Sequence, residues 1–95
     1  MLRVDVATGQ VLDRWSAGYS PKTIDVTADG RYVFAAAYGG HEMVAIDTED
    51  GTSRDYTIDG IEKPCGLDAT ADGRRVYVTG WDNFRLYALE RRDDP

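Results

Sequence analysis

The chain has 95 residues, 42% of them hydrophobic and 29% charged, with 17 acidic against 11 basic side chains and a formal charge of −6. Phosphate backbones are bound by neutralising basic side chains, so this balance, without a Lys/Arg cluster along one face, argues against a nucleic-acid partner. Apolar runs fall far short of the ~20 residues that cross a bilayer, so no membrane partner is expected, and the single cysteine, Cys65, rules out an intrachain disulfide or a Cys-based zinc cage.

Read in chain order, residues 2–18 align on residues 44–60 at an offset of 42, pairing Asp5 with Asp47, Gly9 with Gly51, Asp13 with Asp55 and Gly18 with Gly60. They read as the last two strands of a unit, the second being Gln10–Trp15. Residues 20–60 read as a complete unit of four strands. Thr23–Thr27 is β-branched at four of five positions, and Ala28-Asp29-Gly30-Arg31 follows as a tight turn in which Asp-Gly supplies the positive φ of a hairpin. Tyr32–Tyr38 leads through Gly39-Gly40 into Met43–Thr48, then Glu49-Asp50-Gly51 turns into Ser53–Ile58. Residues 63–90 repeat the first three strands as Gly66–Thr70, Arg75–Gly80 and Phe84–Leu89, and residues 91–95 are a charged tail. Nine strands and no helix are expected.

The repeat is the strongest signal. Ser20 to Asp47 recurs as Lys63 to Glu90 at a period of 43 residues without a gap, with nine identities in 28 pairs. Most other pairs swap like for like, among them Ile24/Leu67, Phe34/Tyr77, Tyr38/Trp81 and Met43/Leu86. Such self-similarity marks a stacked architecture. The second strand, Tyr32 to Tyr38, is apolar on both faces, so both faces must be covered, and Ala35, Ala36 and Ala37 beside larger residues suit sheets packed at about 10 Å. The fourth strands, Thr52-Ser53-Arg54-Asp55-Tyr56 and Gln10 to Trp15, are polar enough to form an outer rim. Two-faced inner strands with a wet outer strand describe an all-β chain of β-propeller blades, each a four-stranded antiparallel sheet.

Pro21-Lys22-Thr23-Ile24-Asp25-Val26-Thr27-Ala28-Asp29-Gly30-Arg31-Tyr32-Val33-Phe34 and the matching stretch from Pro64 to Thr79 resemble the YVTN-type propeller repeat, as do Val44 to Gly51 and, more closely, Val4 to Gly9. The likeness covers residues 2–90 and departs at Ala28 and Ala71, where the family often has Pro, and at Gly80, where it has Asn. The resemblance implies a non-catalytic propeller module acting as scaffold or binding surface, in a family that includes surface-layer proteins. The alternative is a piece of an enzymatic propeller, lactonase-like or of quinoprotein type. Closure takes about 4–8 blades and this chain holds about two, so the expected partners are further blades of a longer parent, the preferred reading, or copies of itself. An extracytoplasmic setting is compatible with the resemblance, while no apolar signal core follows Met1.

Few residues suggest chemistry. Asp25 and Asp68 are equivalent mid-strand carboxylates of the innermost strands, expected either to face a channel as ligands, with their proximity raising one pKa, or to hydrogen-bond turn amides. Tyr38 and Trp81 end the second strands and offer an aromatic shelf or an interlock with a neighbouring sheet. His41 reads as a solvated turn residue, Cys65 as a small buried residue without an adjacent base, and Lys22 and Lys63 as solvated. No catalytic residue, metal ligand or cofactor-binding residue is assigned, and no cofactor is expected, because no phosphate-loop or dinucleotide glycine spacing occurs.

Overall fold

A computed structural model describes residues 1–81 and 85–92. Among these residues there are nine strands and no helix, and every pairing is antiparallel. β1 (Leu2–Val4) and β2 (Val11–Arg14) form a two-stranded sheet. β3 (Pro21–Val26), β4 (Tyr32–Ala37), β5 (Glu42–Asp47) and β6 (Thr52–Thr57) form a four-stranded sheet in sequence order. β7 (Pro64–Ala69), β8 (Arg75–Gly80) and β9 (Leu86–Glu90) form a sheet of three. Two inner strands begin earlier than the pattern suggests, at Pro21 and Pro64, because a first strand residue needs no N–H. The expected start of the last strand at Phe84, its match to His41, and residues 93–95 of the tail lie outside the described residues.

The turns repeat atom for atom. The Thr27 hydroxyl donates to Asp29 Oδ1 at 2.7 Å and accepts from the Tyr32 amide at 3.1 Å, while Asp29 Oδ1 also accepts the Arg31 amide at 3.0 Å. Thr70 and Asp72 do the same, at 2.8 Å between their side chains and at 3.0 and 3.1 Å to the Arg74 and Arg75 amides. A Thr-x-Asp-Gly sequence thus satisfies its own backbone donors, which is why it nucleates a hairpin without outside help. The crossings into β3 and β7 repeat as well. Ser20 and Lys63 both hold φ at 49°, a left-handed conformation at non-glycine residues directly ahead of the two prolines.

Side chains alternate across a strand, so the register assigns the two faces of the central sheet. Val33 stands opposite Ile46 and Ala35 opposite Val44 on one face, and Phe34 opposite Ala45 and Ala36 opposite Met43 on the other. The first face packs with Ala17, Met1 and Trp15 from the N-terminal segment. The second packs with Val76 and Val78 of β8 and with Ile58 and Ile61 of the crossing segment. Ala35, Ala36 and Ala37 are fully buried, and their small side chains let covering layers approach β4 closely. Burying a large aliphatic or aromatic side chain contributes about 1.5–3 kcal/mol, so the two clusters provide most of the favourable energy of the fold.

β6 is exposed along its whole length, and its Arg54 and Asp55 keep that edge wet, an arrangement that discourages unwanted pairing. The terminal sheets are less completely covered. Met43, under the three-stranded sheet, is 4% exposed, whereas Leu86 at the equivalent position one repeat later is 65% exposed.

Gly30 and Gly73 provide a direct check on the stacking. Both turn with positive φ, 76° and 74°, but a Cβ added at Gly73 lies 2.9 Å from Thr27 Cγ2 of the neighbouring sheet, while one at Gly30 meets nothing within 4 Å. The Thr27 side chain is anchored by its hydroxyl and has little room to turn aside. Gly30→Ala is expected to cost about 1 kcal/mol from backbone strain alone, and Gly73→Ala about 1–3 kcal/mol more from overpacking. Urea denaturation of the two variants measures the difference; equal losses would mean that the two sheets do not touch there.

Candidate functional site

The inner edges of the central and C-terminal sheets meet along β3 and β7, and the polar residues of β3 join them. Asp25 Oδ2 accepts the Ala69 amide of β7 at 2.7 Å, and Asp25 Oδ1 accepts the Val26 amide at 2.8 Å. Two residues before it, on the same face, the Thr23 hydroxyl donates to the Cys65 carbonyl. In the adjacent turn the Ala28 amide donates to the Ala71 carbonyl at 2.9 Å. These bonds run from one sheet to the next between unpaired strand edges, so the carboxylate and hydroxyl satisfy main-chain groups that no ladder reaches.

Asp68 of the neighbouring strand does not produce the expected rise in the Asp25 pKa. The amides of Ala69 and Val26 hold the Asp25 carboxyl below its ordinary value, partial burial opposes them, and Asp68 adds a smaller lowering. Backbone donors outweigh the effect of burial because they stabilise the charged form directly. Asp68 is exposed. The site therefore binds its own main chain through Asp25, and no group of three or more His, Cys, Asp or Glu side chains suited to a metal ion occurs among the described residues.

Tyr38 and Trp81 occupy equivalent positions in unlike settings. Tyr38 is half-buried, with Lys22 Nζ 4.3 Å from its ring centroid, so this lysine is engaged by an aromatic face instead of being simply solvated. Trp81 is 63% exposed, and its amide donates to the carbonyls of Glu62 and Lys63 at 3.2 and 3.1 Å. His41 is exposed, yet its Nδ1 lies 3.0 Å from the Ile61 carbonyl and its own carbonyl accepts the Ile58 amide at 3.1 Å, which fastens the crossing segment to the β4–β5 turn. Cys65 is a free, half-buried thiol. Sequence reasoning missed the tying roles of Thr23 and His41; Thr23 is Gly66 in the second copy and His41 has no histidine counterpart, so the repeat gave no signal for either.

A concavity lies elsewhere. A cleft of about 770 Å³ opens between the free edge of β9 and the face of β6, with Phe34 and Met43 at its floor, Arg54 and Tyr56 on one wall and Arg74 and Arg91 opposite. None of Asp25, Asp68, Tyr38 or Trp81 lines it. Among the described residues β9 pairs only with β8, and the cleft lies beside its other edge. The alternation in Thr52-Arg54-Tyr56, which puts three side chains on one face of β6, was readable in the sequence but pointed only to an outer rim.

Among the described residues four carboxylates have lowered pKa values: Asp25 for the reasons above, Asp29 chiefly through the Thr27 hydroxyl, Asp72 chiefly through the Arg74 amide, and Asp47 chiefly through Arg31, whose Nη2 lies 3.1 Å from Asp47 Oδ2. Each binds its proton less readily in the folded chain than in the unfolded one, where the ordinary value is 3.8. Their stabilisation is therefore complete above that value and is lost as pH falls through the lower folded values. Asp25→Asn is expected to lower the urea midpoint at neutral pH, and its deficit against the parent should shrink below pH 3.8 as the parent carboxyl protonates. A deficit independent of pH would contradict the role given to the Asp25 charge.

No protein-family model matches the chain, and no curated protein matches it significantly.

Proposed function

We propose that the three sheets are successive blades of a β-propeller of the YVTN type, and that the chain acts as a non-catalytic repeat module, a scaffold or binding surface whose partners are further blades of the same kind. One observation carries the reading: the middle strands of the central sheet, β4 and β5, are covered on both faces by neighbouring segments, while a repeat-equivalent residue of the C-terminal sheet is bare, as the contrast between Met43 and Leu86 records. A stacked repeat gains stability from each neighbour it acquires, and its terminal units always show one unsatisfied face. The Asp25 carboxylate supports the non-catalytic form of the reading, because both its oxygens are engaged by main-chain amides. The enzymatic alternative would require a carboxylate released for substrate or metal.

The repeat can be tested by insertion. A second copy of residues 21–63 placed between Lys63 and Pro64 keeps the register and adds one complete sheet. The expected product folds with a higher melting temperature, by about 3 °C for each kcal/mol gained. A lower melting temperature, or loss of the cooperative transition, would refute stacking at this period. In the same preparations, hydrolysis of simple lactones with and without divalent metal is expected to stay at the uncatalysed rate; metal-dependent turnover would favour the enzymatic alternative.

A further inference from the structure

The junction between the central and C-terminal sheets is a template that the chain carries for a contact it does not complete. At that junction Phe34 and Met43 of the central sheet meet Leu67, Ala69, Val76 and Val78, and Asp25 accepts the Ala69 amide at 2.7 Å. A shift of one repeat converts the first set into Tyr77, Leu86 and Asp68, and the second into Ile24, Val26, Val33 and Ala35. Both shifted sets are present, on the faces of the two larger sheets that point away from their common junction, and both carry exposed members, although Val33 and Ala35 are already covered by the N-terminal segment. Leu86 and Asp68 are exposed on the outer face of β7–β8–β9. Ile24 is 59% and Val26 49% exposed on the face of β3 that the two-stranded sheet leaves uncovered, whereas their equivalents Leu67 and Ala69 are half-buried.

We propose that a second copy of this chain docks head to tail, its β3–β4 edge seated on the outer face of β7–β8–β9, with Asp68 accepting the Val26 amide of the second copy. The proposal rests on the stacked-repeat reading and names the partner and the contact. The two surfaces are different and complementary, so the contact is heterologous and can propagate to a ring or an open chain of copies. The Val26 amide is at present served by its own Asp25, which leaves Asp25 free to turn wholly to Ala69 once Asp68 of the neighbour takes over.

One layer of the assembly holds a strand too many. The incoming β1–β2 sheet shares the layer of β7–β8–β9, and β1 and β9 claim the same third position. β1 is three exposed residues with an irregular register, against five residues for β9, so β1 yields. β2 then pairs with the free edge of β9 and fills the cleft above Arg54 and Tyr56.

The test is self-association of the full chain by light scattering over a wide concentration range. Wild type is expected to grow in mass with concentration, and Asp68→Lys and Ile24→Lys each to weaken association about tenfold or more. The two substitutions damage opposite ends, so their equimolar mixture retains one intact junction and is expected to form a dimer that grows no further. On association, amide exchange should slow in β2 and quicken in β1. Circular dichroism melts check that both variants remain folded, which their surface positions favour. A strictly monomeric wild type, or variants that associate like wild type singly, would overturn the docking, and so would a mixture that stays monomeric. Faster exchange in β2 would overturn the strand exchange. If the insertion of residues 21–63 stabilises the chain while wild type stays monomeric, the stacked repeat stands and the self-docking falls.

Discussion

β4 has no polar side to offer water, and the rest of the molecule is arranged around that fact. Tyr32-Val33-Phe34-Ala35-Ala36-Ala37 places apolar groups on both faces of a strand that already has partners at both edges. A sheet built on such a strand is stable only as the middle layer of at least three. Burial of its two faces costs nothing in unsatisfied backbone, because the ladders with β3 and β5 pair the main chain within the layer. Hydrophobic contact between layers is left as the main stabilising interaction, and it is not directional. Alignment between layers therefore has to come from other groups.

The polar inner edge provides it. Asp25, Thr23 and the Ala28 amide bond to main-chain groups of β7 and its turn, fixing the central and C-terminal sheets in position against each other. On the N-terminal side the Trp15 indole donates to the Gly51 carbonyl at 3.2 Å, with Arg3 stacked 5.7 Å from the Trp15 ring and paired with Asp13. The Asp25 carboxylate, for which the sequence offers either a channel-facing ligand role or hydrogen bonding to turn amides, has a structural use of its own. A mid-strand Asp repeated at a fixed period is what either use would produce, and geometry distinguishes them: two main-chain donors within 2.8 Å belong to a tie.

Much of the architecture was legible in the sequence. The 43-residue period, the Thr-x-Asp-Gly turns and the doubly apolar β4 predict the strand number, the antiparallel hairpins and the covering of both faces, since all three are local or periodic signals. What was not legible depends on contacts between copies that differ. Thr23 has Gly66 as its counterpart, His41 binds a carbonyl twenty residues away, and Lys22 lies over Tyr38, and none of these is repeated. The lining of the cleft beside β9 draws on β4, β5, β6, β8 and β9 together, which no linear pattern displays.

Native-state amide hydrogen exchange tests the central claim most directly, because it reports the opening energy of each strand separately. If the doubly covered sheet is what holds the fold, amides of Val33 to Ala37 and Met43 to Ile46 should exchange only through global unfolding, with a denaturant dependence matching that of the whole chain. Those of β1, β2 and β9 should open locally and far sooner. Uniform protection across all nine strands, or β4 amides exchanging as readily as those of β9, would contradict the account.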